Sequence, residues 1–227
     1  MNRTIIDLPE FLVRAAAYDW DIDWRGQSAG GDTGGGDQIV VNRFPRWVGR
    51  PSLLIRRAAI PAFRAIRAQT RGRQNAWRVP MLDPATTPWR RDSDWASDWE
   101  AWNAGQLVED RPQIPATDAI LAGAAQVTVD ESGAPAPVAV GAVLSYDDWP
   151  FIVTGRTPVG SFVRLDVEML RVAIPAGGLI DLIPRGVFLA EDEGMGNPAY
   201  DRRPVSQVEL SFVEWITRAP PGGPVIL

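Results

Sequence analysis

The chain has 227 residues, of which 45% are apolar and 22% charged, and a formal net charge of −5. That is enough for one large domain or two small ones with real cores, and no run approaches the roughly 18 apolar residues a membrane helix needs. There is no Cys, His or Lys, all 23 basic residues being Arg, which excludes disulfides, thiolate and imidazole catalysis, Cys-based zinc sites, a Schiff base and a phosphate-loop lysine.

An enzyme built from this inventory works with Asp, Glu, Tyr, Ser, Thr and Arg alone. Paired-carboxylate hydrolases and carboxylate-only Mg or Ca sites survive that filter, and the composition favours a protein that is not an enzyme and holds no cofactor. Arg-only usage with abundant Ala, Gly and Pro fits a GC-rich genome. The ten Trp are many for this length. Indoles supply large contact area where surfaces meet and stack on sugars and bases, but most are expected in the core or its rim.

In chain order, the N-terminal stretch MNRTIIDLPEFLVRAAAYDW lacks the h-region of a signal peptide, so export is not expected. Pro9 suits the first turn of a short helix with Asp7 as its cap. Tyr18, Trp20, Ile22 and Trp24 alternate with acids at period 2, which predicts a strand with one buried face. GQSAGGDTGGGDQ follows and is expected as a linker or hairpin loop with no well-packed strand. Its glycines do not cradle phosphate: Asp32 and Asp37 put negative charge there, and neither the terminal Gly-Lys-Ser/Thr nor a following helix is present.

IVVNRF and PRWVGRPSLLIRR read as strands bounded by Pro45 and Pro51. A helix is predicted over Ala58–Arg73, with Ile60, Phe63 and Ile66 on one side and Arg57, Arg64, Arg67 and Arg71 on the other. Pro61 sits in its first turn and Gly72 stops it. NAWRVPML returns as a strand. RRDSDWASDWEAWNAG predicts a second helix, capped by Ser93 or Asp94, that lines Trp95, Trp99 and Trp102 on one face.

From Ile114 onward the pattern is β: AAQVTVDE, VGAVLSYD, WPFIVTGR, SFVRLDVEML, GLIDLIP, GVFLAED and VSQVELSFVEWI. Short strands at this spacing predict a mainly β protein with one or two helices, a β-barrel or β-sandwich with a helix packed on the N-terminal sheet. The organisation reads as a strand–helix–strand region over 1–82, a Trp-rich insert over 83–113, a β-rich region over 114–216 and an extended tail over 217–227. EDEGMGNPAYD lacks the alternating acids and closing Glu of an EF-hand and reads as a polar turn.

Charge is segregated. Residues 43–91 carry 12 Arg against Asp83 alone, a local +11, and the remainder carries −16. Such asymmetry is the footprint of an electrostatic interface.

The order of elements resembles the distal tail and baseplate proteins of long-tailed, non-contractile bacteriophages and related gene transfer agents. The carriers are RWVGRPSLLI, then IPAFRAIRAQTRGRQ closing in Arg71-Gly72-Arg73, then NAWRVPML with Trp77 in the aromatic place and Pro80 after it. In the second half they are SFVRLDVEMLRVAIPAGGLIDLIPRGVFLAEDE, where Pro184-Arg185-Gly186-Val187-Phe188-Leu189 keeps the family's close, and the terminal strand VELSFVEW. The likeness covers roughly residues 40–82 and 120–216. The Gly-rich loop at 27–38 and the Trp-rich insert at 89–105 depart from it, as does Glu168-Met169-Leu170-Arg171, which replaces a Pro-containing turn.

The resemblance implies a structural component of a virion tail, made in the bacterial host cytoplasm. It implies a β-rich subunit of a homo-oligomeric, hexameric ring that joins the tail tube protein to the baseplate hub protein. Such proteins do no chemistry. Its partners are then further copies of itself, the tail tube and the hub, with no membrane and no specific nucleic acid. Subunit contacts are expected at Arg64, Arg67 and Arg71 and at Trp95, Trp99 and Trp102.

Two other readings compete. Carbohydrate binding takes Asp19, Asp21 and Asp23 with Trp20 and Trp24, or Asp147 and Asp148 with Trp149, as a sugar site; solvated acids on the wet face of a strand give the same pattern. Single-stranded nucleic-acid binding takes Arg56, Arg57, Arg64, Arg67, Arg71 and Arg73 with Trp47 and Trp77 interleaved. Against it stands a sequence pI near 4.9, since nucleic-acid-binding domains are usually basic.

Overall fold

The computed structural model describes residues 3–12, 14–31, 37–40, 45–87, 98, 100–102, 104–106, 111–198 and 205–218. The protein is mainly β, as the alternation predicts, with one long helix among the described residues. Apart from one two-stranded pair, its strands build two bodies, a bent sheet covered by the helix and a closed barrel.

The first sheet has the strand order β1 (Ile5–Asp7), β8 (Ala76–Pro80), β15 (Arg185–Ala190), β17 (Phe212–Glu214), β6 (Arg46–Gly49), β3 (Trp20–Asp23). A three-stranded sheet has the order β16 (Val205–Glu209), β7 (Ser52–Arg56), β2 (Arg14–Ala17). These strands are the chain neighbours of β17, β6 and β3, so three strands turn the corner together. The corner is held by Leu210 N–H to Pro51 O (3.1 Å) and Arg50 N–H to Asp19 O (2.8 Å). Bends that let strands switch sheets are how an orthogonal packing closes on its core. This is why VSQVELSFVEWI, expected as one strand, breaks at Leu210–Ser211.

The core inside the bend is aromatic. Trp47, Trp77, Phe63, Phe188 and Phe212 are each 2% exposed or less. Trp20 lies 4.6 Å, centroid to centroid, from Phe188 and stacks at 6.0 Å on Phe212. Gly49 on the neighbouring strand makes room for it: a Cβ there would come within 2.2 Å of the Trp20 ring.

Helix α1 (Ile60–Thr70) buries Ile60, Ala62, Phe63, Ile66 and Thr70, with Pro61 in its first turn. It starts two residues later than the predicted Ala58, because Arg57–Ala59 form a 3-10 turn. It also ends earlier than Arg73. The left-handed cap is Arg71 (φ 50°), followed by Gly72 (φ 63°), and Asn75 closes the end by donating its side-chain N–H to Gln69 O at 2.9 Å. Gly72 supplies the second left-handed residue of the stop, a backbone conformation that glycine adopts without strain.

Two local expectations change. The short helix at Pro9 is a 3-10 turn, Glu10–Leu12, between β1 and β2. The Gly-rich loop does form strands: β4 (Gln27–Gly31) and β5 (Asp37–Val40) pair antiparallel, with a register shift between Ser28 and Gly31. Backbone pairing needs no side chains, and Gly30 at φ 95° absorbs the irregularity.

The second body comprises β9 (Gln113–Pro115), β10 (Gln126–Val129), β11 (Val143–Tyr146), β12 (Trp149–Val159), β13 (Phe162–Glu168) and β14 (Leu179–Asp181), in the order β10-β13-β12-β11-β14-β9. The two ends of this sheet meet. Ala116 bridges Val129, Thr117 N–H donates to Thr128 O at 2.9 Å, and Asp130 N–H donates to Pro115 O at 3.0 Å. The result is a closed six-stranded antiparallel barrel, filled by Ile114, Val127, Leu144, Phe151, Leu165 and Ile180. Closure removes open edges.

The barrel is inserted into the first sheet. The chain leaves β8 at Pro80 and re-enters at Arg185, its direct partner on β15, while Leu182 N–H donates to Pro112 O at 3.0 Å across the barrel's entrance and exit. The 114–216 stretch, read from sequence as one β-rich region, thus contributes strands to both bodies.

Candidate functional site

The densest polar constellation lies in the seam between sheet and barrel. The β11–β12 hairpin ends in a two-residue turn, Asp147-Asp148, with φ of 54° and 62°. Left-handed residues at both positions define the turn type whose twist matches a hairpin, and Asp tolerates them. The turn carries Asp148 beneath the first sheet. Its Oδ2 accepts from Arg78 Nε on β8 at 2.7 Å, and its Oδ1 lies 3.2 Å from Arg185 Nη2 on β15. Arg78 also reaches Asp7 on β1 at 2.5 Å.

The chain's last described turn closes over this group. Arg218, 7% exposed, donates to Asp148 O and places its guanidinium 4.1 Å from the Trp149 ring centroid. Trp47 ties the same hairpin from the sheet side through Nε1–H to Pro150 O at 3.0 Å.

A second lock sits beside it. Arg171, from the barrel, lies 3.3 Å from Glu214 on β17, whose side chain is fully buried. Glu214 Oε2 accepts Trp47 N–H at 2.9 Å, and Arg171 donates to Pro45 O. Met169, at φ 70°, packs against the cores of both bodies.

Arginines and carboxylates balance across the seam, and their protonation follows their surroundings. Burial lowers Arg78, but Asp148 and Asp7 more than offset it, and its pKa is raised. Burial brings Arg218 down to about 10 despite Asp148, Glu214 and Asp147, still a cation at neutral pH. Burial raises Glu214 against Arg171, the Trp47 amide and Arg218; its Oε1 is buried with no hydrogen-bond partner among the described residues. Asp147 is raised by burial and by Asp148, against Arg218, Arg78 and Arg185.

This chemistry suits clamping. Asp148 is held by cations, and Glu214 is out of reach of any solute. A cavity of about 420 Å³ adjoins the seam, lined in part by Asp7, Glu10, Arg78, Trp102, Arg111 and Arg185.

Of the residues singled out from sequence, Trp47, Asp147, Asp148 and Trp149 lie at the seam, while the predicted subunit-contact residues are not gathered here. Arg64 and Arg71 are exposed on and just after α1. Arg67 turns inward and donates to Met195 O (2.8 Å) and Gly194 O (3.2 Å), pinning the loop that follows β15. Trp102, in a helical stretch, packs at 6.2 Å on Phe11, covering the core. Trp95, Trp99 and the tail beyond Arg218 lie outside the described residues. Trp47 and Trp77 are 2% and 1% exposed, so they offer no stacking face between the arginines. Trp20 and Trp149 are likewise buried, and Asp23 pairs with Arg46 at 3.2 Å. Trp24, 51% exposed, keeps an open indole.

Sequence reasoning missed Arg78, Arg185, Arg218, Arg171 and Glu214. One signal was present: an Asp-Asp pair between two alternating runs, SYDDWPF, marks a tight hairpin turn. No protein-family model matches the chain, and no curated protein is significantly similar to it. Among the described residues no helix is long and apolar enough to cross a membrane.

Proposed function

We propose that this protein is a structural subunit of a phage-type tail tip, forming a ring between the tail tube and the baseplate hub. The observation that carries the proposal is the seam. Two β bodies are locked by buried ion clusters and by a double chain crossing, which suits a part that holds its shape under assembly forces. The resemblance of residues 40–82 and 120–216 to distal tail proteins supports it, as does the segregated charge, which heterologous contacts between copies can neutralise. Light scattering and electron microscopy of the purified chain test it. A closed ring, six-fold in class averages, is expected; a chain that stays monomeric at all concentrations and is absent from particles overturns it.

A carbohydrate-binding role has one observation in its favour. Trp24 edges a hollow of about 220 Å³ that Glu168, Met169 and Arg171 also line, and an open indole beside a carboxylate suits a sugar ring. Glycan-array binding that Trp24→Ala abolishes would favour it, and a blank array removes it.

A further inference from the structure

The cavity beside the seam has a volume of about 420 Å³, within the range of small-molecule sites. Arg78 and Arg185 belong to its lining, and Asp148, which does not, holds both of them: Arg78 through Nε at 2.7 Å and Arg185 through Nη2 at 3.2 Å. Asp7, also in the lining, accepts Arg78 Nη1 at 2.5 Å. None of these groups is sealed off. The Arg78 and Arg185 side chains stay 28% and 21% exposed and that of Asp7 62%. Donors and acceptors that are fixed in direction and still reachable are what a preorganised binding wall requires.

The charges around the cavity cancel. Arg78, Arg111 and Arg185 in its lining, with Arg218 over the adjoining turn, stand against Asp7 and Glu10 in the lining and Asp147 and Asp148 in the turn. An ion of either sign therefore gains little by entering. A neutral molecule rich in hydroxyls gains more, because each hydroxyl both donates and accepts. It can give its proton to Asp7 or Glu10, whose carboxylates have lone pairs for more than one donor, and take a hydrogen bond from a guanidinium. The rest of the lining includes Pro9, Pro80 and the half-buried Trp102. An indole beside fixed polar groups matches a sugar ring, which has an apolar C–H face and a polar rim.

We propose that the seam cavity binds a neutral sugar ring, with Asp7 and Glu10 accepting from its hydroxyls, Arg78 and Arg185 donating to them, and Trp102 covering its apolar face. The site shares no lining residue with the hollow at Trp24, and it stands whether or not copies of the chain form a ring.

Ligand-observed NMR on the full chain tests it with glucose, galactose, mannose, N-acetylglucosamine and maltose, and with gluconate and glucosamine as charged counterparts. At least one neutral sugar should bind saturably with a Kd of roughly 1 mM, the affinity a ligand of about a dozen heavy atoms reaches. Neither charged counterpart should bind more tightly. Two conservative variants, Asp7→Asn and Trp102→Phe, are checked for native circular dichroism and melting; the second keeps an aromatic ring against Phe11. Each should weaken binding by at least roughly fivefold, and Trp24→Ala should leave it unchanged. If one variant loses its fold, the other decides. No sugar bound at about 50 mM, a charged counterpart that binds more tightly, or an unchanged Kd in the folded variants overturns the site. Loss of binding in Trp24→Ala also overturns it, by moving the sugar to the other hollow.

Discussion

Arg218 stands 4.1 Å above the indole of Trp149 and donates to the carbonyl of the residue before it, Asp148. One side chain from the end of the described chain thus seals the turn by which the barrel enters the sheet. Arg218→Ala should lower stability by roughly 2–4 kcal/mol, the sum of a desolvated cation–π contact and a buried charged hydrogen bond. Arg218→Lys should recover only part, since it keeps the charge and loses the planar fork. Urea melts followed by tryptophan fluorescence read both.

Asp148→Asn tests the cluster without disturbing the turn, because Asn tolerates a φ of 62° as readily as Asp. Removing the shared counter-charge of Arg78 and Arg185 should cost roughly 3–5 kcal/mol. Asp147→Asn, one residue away on the exposed side of the turn, should change stability by less than about 0.5 kcal/mol. Equal losses in the two variants would falsify the clamp.

Glu214 predicts a pH slope. Burial lifts its pKa above the ordinary 4.5, against the pull of Arg171. The fold then keeps a proton at pH values where the unfolded chain has released it, so this group's contribution to stability falls as pH rises from about 4.5 through the raised value. In urea melts from about pH 4 to 7, wild type should lose stability relative to Glu214→Gln over that interval. The opposite sign would mean that the ion pair outweighs its desolvation.

Gly49→Ala places a methyl 2.2 Å from the Trp20 ring, which stacks on Phe212. The ring cannot move without moving the core, so an overpacking cost of about 1–3 kcal/mol is expected. Gly133→Ala, with open space around its Cβ, is the control and should be near neutral in the same thermal melts.

The barrel has its own core and its ends meet, so residues 111–184 expressed alone should fold. A dispersed amide spectrum and a cooperative melt are the expected results, and a chain that is unfolded at about 25 °C contradicts them.

The fold was legible wherever one face of an element is buried. Period-2 alternation located β10 to β13, and the 3.6 period gave the inner face of α1. Partnership between strands was not legible. VSQVELSFVEWI carries continuous alternation, and only the corner at Pro51 explains why it serves two sheets. The basic helix face was half right as a surface: Arg64 and Arg71 point outward, but Arg67 is taken by the carbonyls of Gly194 and Met195 more than a hundred residues away, a contact no local pattern encodes. Reversing Arg67 would therefore disturb the fold as well as any interface. The seam was hidden for the same reason, since Asp148, Arg78, Arg185 and Arg218 come from four distant stretches.

The insertion of the barrel between paired neighbours has a mechanical consequence. A force drawing the barrel away from the sheet pulls β8 and β15 in the same direction along their lengths. They do not peel from one another. Each must slide past its outer neighbour, β1 or β17, and many backbone bonds have to yield at once. A single connecting segment would have left a swivel; two adjacent strands make a stiff fork that resists twisting as well as tension.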